Sequence, residues 1–216
     1  MRSETFWQGR RNNYTSLASL LLANTVTGAA TLLRRELLDV VLPFPPRTPD
    51  AFHDQWIAAA ALATGKIAYV ARPLQDYVQH ESASLGHAAA VRGYRPTRLL
   101  RHGTPRSIAA AIAEHGSRAY LMNVPRIAVM AAALELRAGR TLEGAELRAV
   151  RRLARFGAPP EPLGWLALRS LRRFAGRTET AGIELALVNA MLWRRTAMLR
   201  ARLRSRGESA SGRGGP

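Results

Sequence analysis

The sequence predicts an α/β segment followed by a mostly α-helical region. In residues 1–87, short apolar runs alternate with turn residues and a proline cluster, as in an α/β fold. From residue 88 onward, longer amphipathic stretches are separated by Gly or Pro. The charge divides near the same point. Residues 1–86 hold 8 of the 32 Lys and Arg and 7 of the 15 Asp and Glu, which leaves 24 basic against 8 acidic residues in 87–216.

The first part has short elements set off by turn residues. In chain order we expect a helix or buried strand at 17–23, a turn at 24–28, a buried strand at 29–33, a short helix from 34 to about 42, a helix from about 50 to 64 and a β-like run at 66–70. Prolines at 43, 45, 46 and 49 end the short helix. The 50–64 helix is apolar nearly all round, which is typical of a buried helix.

The second part is predicted to be helical and basic. We expect helices at roughly 88–101, 105–115, 118–138, 142–156, 162–175 and 180–204. Several combine an apolar face with arginines on the other side, as with Leu168 and Leu171 beside Arg169 and Arg172. Residues 205–216 are rich in Ser, Gly and Arg, which predicts a disordered tail. The expected organisation is therefore 1–87, 88–204 and 205–216.

Composition limits the classes of function. The chain has no cysteine, so thiolate metal sites and disulfides are excluded, and a reducing, cytoplasmic location is expected. No secretory signal is visible after Met1. The apolar runs fall short of the ~20 residues that span a bilayer, so we do not expect a membrane crossing.

The net charge of +17 indicates an anionic partner. No groove-reading motif is present, which makes nucleic acid the weaker candidate. The arginines lie among amphipathic helices that contain Trp165, Phe174 and Trp193, a pattern that favours a peripheral site on an anionic membrane, at the inner face of the plasma membrane. Solvated arginine faces without a partner are the alternative.

Asp54 is the first candidate for chemistry. It lies in the run His53, Asp54, Gln55, Trp56, inside an otherwise apolar helix. Burying an unpaired carboxylate in such surroundings costs roughly several kcal/mol of folding free energy. Asp54 is therefore expected either to pair with another group or to serve a function. One alternative is a carboxylate that only complements the helix dipole.

Three motifs occur in register around this residue. They are NTVTGA at 24–29 with LRREL at 33–37, LPFP at 42–45 leading to HDQW at 53–56, and PL at 73–74 with YVQH at 77–80 and Gly86. In order and spacing they resemble the acceptor-side half of bacterial family-2 glycosyltransferases, over about residues 15 to 87. The resemblance implies a partial GT-A (Rossmann-like) fold. It also implies transfer of a sugar from a nucleotide-sugar to a glycan or lipid-linked acceptor.

The resemblance implies a role for each site residue. Asp54 matches the catalytic base, which takes the proton from the acceptor hydroxyl in an inverting displacement. The matching substrate-binding positions are His53 and Trp56 near the acceptor sugar, Thr27 and Gly28 in a turn close to both sugars, and His80 near the donor pyrophosphate. Structural alternatives stay open for these: core packing for Trp56, a plain turn for Gly28, and structural histidines at 53 and 80.

The chain also departs from the family pattern. Val78 replaces an arginine, Ser82 and Ser84 replace asparagines, and no Asp-X-Asp occurs in the sequence. The complete enzyme would be expected to use a divalent metal, Mg or Mn, but no residue here can be assigned as its ligand. We therefore expect an N-terminally truncated glycosyltransferase. The competing hypothesis is a non-catalytic basic module that binds an anionic membrane surface or nucleic acid.

Overall fold

The chain is all-α wherever its structure is described. The computed structural model describes residues 11–49, 52–72, 74, 103–157 and 162–211, with side chains up to Ser205. Within these ranges no residue belongs to a β-strand. The α-helices are α1 (Leu17–Leu22), α2 (Leu38–Val41), α3 (His53–Thr64), α4 (Pro105–Ala138), α5 (Gly144–Ala154), α6 (Leu163–Ser170) and α7 (Ile183–Ser211). The predicted α/β class, and with it the partial GT-A fold, is therefore wrong for this structure.

The two predicted strands fail for the same physical reason. Residues 29–33 begin in a 3-10 turn, Gly28–Ala30, and then extend into solvent with Leu32 fully exposed. Residues 66–70 have no regular secondary structure, and Tyr69 and Val70 are more than half exposed. A strand needs a neighbour to accept and donate its backbone hydrogen bonds. No described residue supplies such a ladder to either run.

Arginines from α4 bind the carbonyl ends of two short helices, α1 and α2. Every residue of α1 is buried, so its last carbonyls cannot be satisfied by water. Arg126 donates to the Leu22 carbonyl at 3.1 Å. Arg137 donates to the Val40 and Val41 carbonyls at the end of α2, each at 3.0 Å. The two arginines are 11 residues apart, about three helical turns, so they project from one face of α4.

α4 joins two helices that the sequence predicts as separate. Its start was foreseeable: Thr104 caps it in a reciprocal pair with Ser107, and Pro105 occupies the first turn. Gly116 does not break the helix, because it is the point where α7 approaches. A Cβ there would lie 2.7 Å from the Trp193 Cβ. The glycine is therefore required by packing.

One hydrophobic cluster joins the two predicted parts of the chain. It includes Leu20 and Trp56 from the first part and Ile127, Leu153 and Leu187 from the helical region. α7 runs along α4, where Ala119, Ala186 and Ala190 form a second, small cluster. The helices of the basic region thus complete the core around α1 and α3.

The remaining predicted elements correspond to the structure in varying degree. The 142–156 and 162–175 predictions match α5 and α6, the latter continued by a 3-10 turn, Leu171–Ala175, that ends at Gly176 with φ of 70°. α7 continues to Ser211, inside the segment for which a disordered tail is predicted. The predicted helix at 88–101 lies outside the described residues.

α4 is the one helix, among those described, that is long and apolar enough to cross a membrane. Its most apolar window has a mean hydropathy of 1.3, and 39% of that window is buried inside the protein. Core helices of soluble proteins meet the same length and composition test. The apolar runs of the sequence do not predict a helix of this length. The reason is that α4 combines two stretches that the sequence predicts as separate helices.

Candidate functional site

The Asp54 carboxylate is held by three donors at the start of α3. Its Oδ1 accepts from the Asn24 side-chain amide at 2.9 Å and from the Gln55 backbone N–H at 2.7 Å. Its Oδ2 accepts from the Gly28 backbone N–H at 3.3 Å. Asp54 is half-buried and lies in the first turn of the helix, where a negative charge is stabilised by the helix dipole. The negative charge of Asp54 is thus compensated by these three donors and by the start of α3.

Asn24 shapes the turn that faces Asp54. Its side-chain oxygen accepts from the Val26 N–H at 2.9 Å, and its amide nitrogen donates to the Val26 carbonyl at 2.9 Å as well as to Asp54. Asn is favoured in turns because it can bond its own backbone two residues ahead. Asn24 belongs to the first sequence motif, but the motif by itself does not indicate it as a site residue. Its hydrogen bond to Asp54, which places it at the site, joins two residues that are 30 positions apart in the chain.

Gly28 and His53 are in close approach beside this carboxylate. A Cβ at Gly28 would lie 3.0 Å from His53 Nε2 and 3.4 Å from Asp54 Cβ, so a larger residue would crowd both. His53 is exposed, whereas Thr27 and Gly28 are half-buried. The structure therefore brings together four of the predicted site residues: Thr27, Gly28, His53 and Asp54. His80 lies outside the described residues.

Trp56 lies in the core. Its side chain is 2% exposed, its indole N–H donates to the Val41 carbonyl at 2.9 Å, and the Arg137 guanidinium lies 5.4 Å from the ring centroid. A ring enclosed in this way cannot stack on a sugar without moving. The sequence leaves open core packing and contact with the acceptor sugar for Trp56, and in the structure this residue packs in the core.

Gln55 belongs to a buried polar network that the sequence did not indicate. It is 1% exposed, and its amide donates to the Leu20 carbonyl at 2.7 Å and to the Leu21 carbonyl at 3.2 Å. Its side-chain oxygen accepts from Arg126, which is 5% exposed. With the bond from Arg126 to Leu22, the last three carbonyls of α1 are satisfied. The neighbouring residues Asp54 and Gln55 therefore have different environments: Asp54 lies near the surface and Gln55 lies in the core.

A second polar cluster connects α1 with α6 and α7. Ser19 accepts from Arg169 at 2.6 Å and from Arg172 at 3.3 Å. Arg169 lies 3.8 Å from the Glu184 carboxylate, and Arg172 bonds to Glu179 at 3.3 Å. Burial, and then the neighbouring Arg172, lowers the pKa of Arg169. The two glutamates are almost fully buried, so this cluster fastens three helices together.

The described residues do not fit a divalent metal. Within them, no three His, Asp or Glu side chains are close enough to form a binding group. Oδ1 of Asp54 is already engaged by two short hydrogen bonds. The groups described at this site are the Asp54 carboxylate, the Asn24 amide and the backbone N–H groups of Gly28 and Gln55.

Comparison with protein-family models, with curated proteins and with solved structures finds no match. The local geometry around Asp54 is thus the main structural observation that bears on function.

Proposed function

We propose that Asp54 is the general base of an inverting glycosyl transfer, and that the turn around Gly28 with His53 forms the acceptor side of its site. The observation that carries this proposal is the meeting of two sequence motifs at one carboxylate. The Gly28 N–H and the Asn24 amide both bond to Asp54, from positions 26 and 30 residues earlier in the chain. These are the residues on which the family resemblance rests.

The two oxygens of Asp54 have different capacities to accept a proton. Oδ1 accepts two bonds of 2.9 and 2.7 Å, whereas Oδ2 accepts one bond of 3.3 Å, beyond the usual range for N–H···O. A carboxylate oxygen has lone pairs for two good hydrogen bonds. Oδ2 is therefore the oxygen that can receive a proton from an acceptor hydroxyl. The exposed His53 supplies a second polar group within the same surface.

The proposed reaction balances around that oxygen. The acceptor oxygen forms a bond to the anomeric carbon of the nucleotide-sugar while its proton moves to Oδ2 of Asp54. The bond from the anomeric carbon to the diphosphate oxygen breaks, and the electron pair leaves with the nucleotide diphosphate. Because attack and departure occur on opposite faces, the anomeric configuration is inverted. General-base help of this kind contributes about 10²–10⁴ in rate.

The proposed substrates are a nucleotide-sugar and the hydroxyl of a glycan or lipid-linked acceptor, and we place the reaction in the cytoplasm. The residues described around Asp54 contact only the acceptor side in this proposal. We assign no residue to the nucleotide.

The test is nucleotide diphosphate release with the full chain, a panel of nucleotide-sugars and sugar acceptors. We expect Asp54→Asn to lower turnover by about 10²–10⁴ while the fold is retained. Asp39→Asn is the matched control, because Asp39 is an exposed carboxylate on α2 away from this turn. NMR of the product should show an inverted anomeric centre.

Two results would oppose the proposal. Unchanged turnover in Asp54→Asn would remove the base assignment. No nucleotide release by the wild-type chain with any donor would instead favour the hypothesis of a non-catalytic basic module.

A further inference from the structure

We propose that the end of α7, residues 192–205, docks on an anionic lipid bilayer. This inference does not depend on the proposed transferase activity. Trp193 is the last aromatic anchor of α7 on α4, with its ring 6.0 Å from that of Tyr120 and its Cβ facing Gly116. From Leu199 to Ser205 every residue is exposed. Among the described residues, the helix is therefore exposed beyond its packed part.

That surface has an apolar stripe. Leu192, Leu199 and Leu203 are 48%, 58% and 58% exposed. They are separated by seven and four residues, which at 100° per residue puts them within about 40° on one side of the helix. Isolated exposed leucines are ordinary, but an aligned row that none of the described residues covers is not.

The stripe is bordered by positive charge on both sides. Residues 192–205 contain five arginines and no Asp or Glu. From the same helical geometry, Arg200 and Arg204 lie along one border, and Arg195 and Arg202 along the other. Arginine stems can lie along an apolar surface while the guanidinium groups reach outward to phosphates. This is the pattern of a helix that lies in the plane of a membrane interface.

Charge decides between the possible occupants of this face. A second copy of residues 192–205 would bring ten arginines together, and this segment contains no carboxylate to offset them. Nucleic acid would use the arginines but would leave the leucines in water. An anionic bilayer accepts both, since its acyl region takes the leucines and its headgroups take the arginines.

The experiment measures partitioning of the full chain into sedimented or floated lipid vesicles. One set is phosphatidylcholine alone, and in the other about a third of the lipid is phosphatidylglycerol. We expect binding to the second set only, weakened at high salt. Leu199→Ser with Leu203→Ser should lower the partition coefficient about 30-fold, since two half-exposed leucines lose their burial in lipid.

Matched controls separate this face from general stickiness and charge. Leu121→Ser with Leu136→Ser removes two leucines on α4 that are 59% and 85% exposed, and it should leave binding within about twofold. In the same way, changing three arginines of the stripe border to glutamine should weaken binding by about 100-fold. The triplet is Arg200, Arg202 and Arg204. Its control, with a much smaller expected effect, is the exposed triplet Arg140, Arg148 and Arg155.

Circular dichroism should show unchanged helix content in every variant, because all the replaced side chains are exposed. The proposal is overturned by equal binding to both vesicle sets or by binding to neither. It is also overturned if the two leucine pairs have equal effects. Salt-sensitive retention of DNA without vesicle binding would identify nucleic acid as the partner, and a leucine-dependent dimer in sedimentation would identify a second copy.

Discussion

Replacing Arg126 by methionine tests whether the buried network between α1, α3 and α4 stabilises the fold. Arg126 is 5% exposed and donates to the Gln55 side-chain oxygen and to the Leu22 carbonyl. Methionine approximates the aliphatic part of the arginine side chain and has no donor. Both acceptors belong to residues that are almost fully buried, so water cannot replace the lost bonds.

The expected destabilisation follows from these two acceptors. Each buried acceptor left without its donor costs about 1–3 kcal/mol. Part of this is offset because the variant no longer desolvates a guanidinium in the core. We therefore expect the free energy of unfolding to fall by about 2–4 kcal/mol.

The assay is urea unfolding followed by circular dichroism. Arg118→Met is the matched control, since Arg118 is exposed on the same helix, and its free energy of unfolding should change by less than about 0.5 kcal/mol. A double variant with Gln55→Leu adds a second test. Because Arg126 and Gln55 share one bond, the combined loss should be smaller than the sum of the single losses.

A loss for Arg126→Met no greater than that of Arg118→Met would refute the reasoning. Strict additivity with Gln55→Leu would show that the two side chains act separately.

Two other predictions concern packing and pH. In Gly116→Ala the new methyl group meets Trp193 Cβ at 2.7 Å, which should lower the free energy of unfolding by about 1–3 kcal/mol. The higher helix propensity of alanine offsets ~1 kcal/mol of this loss. Thermal melts check the prediction, and a stabilised variant would contradict the close approach. Tyr14 stacks on Tyr69 with ring centroids 4.8 Å apart, and burial, followed by the neighbouring Tyr69, raises the pKa of Tyr14 from 10.0 to about 12. Since the folded-state pKa is raised, Tyr14 contributes stability below pH 10 that is lost as the pH rises toward 12. Urea unfolding at several pH values should show that decline, and Tyr14→Phe should remove Tyr14's share of it; an unchanged pH profile in the variant would refute the assignment.

Much of the helical structure was predictable from local sequence. The start of α4 is encoded by Thr104 and Pro105, and the start of α3 follows the proline cluster closely. The fusion of two predicted helices into α4 was not predictable from local sequence. Gly116 has a low helix propensity, and only the approach of Trp193 gives it a reason to be helical.

The site was predictable in part. The motifs indicated Asp54, His53 and the Gly28 turn, and the structure brings these into contact. The motifs alone did not separate a core Trp56 from a sugar-stacking one, since an apolar helix is compatible with both. That distinction depends on the carbonyl of Val41 and on what encloses the ring.

The sequence by itself determined α5, α6 and most of α7 in the basic region, the excess of arginine after residue 86 and the presence of a carboxylate at Asp54. These depend on periodicity, capping and composition, which act over a few residues. The tertiary structure decided that residues 29–33 and 66–70 form no strands, and that Asp54 is bonded to Asn24 and Gly28 while its neighbour Gln55 turns into the core. Strand pairing and the hydrogen bonding of the half-buried Asp54 both need partners distant in the chain, and local sequence does not specify where those partners lie.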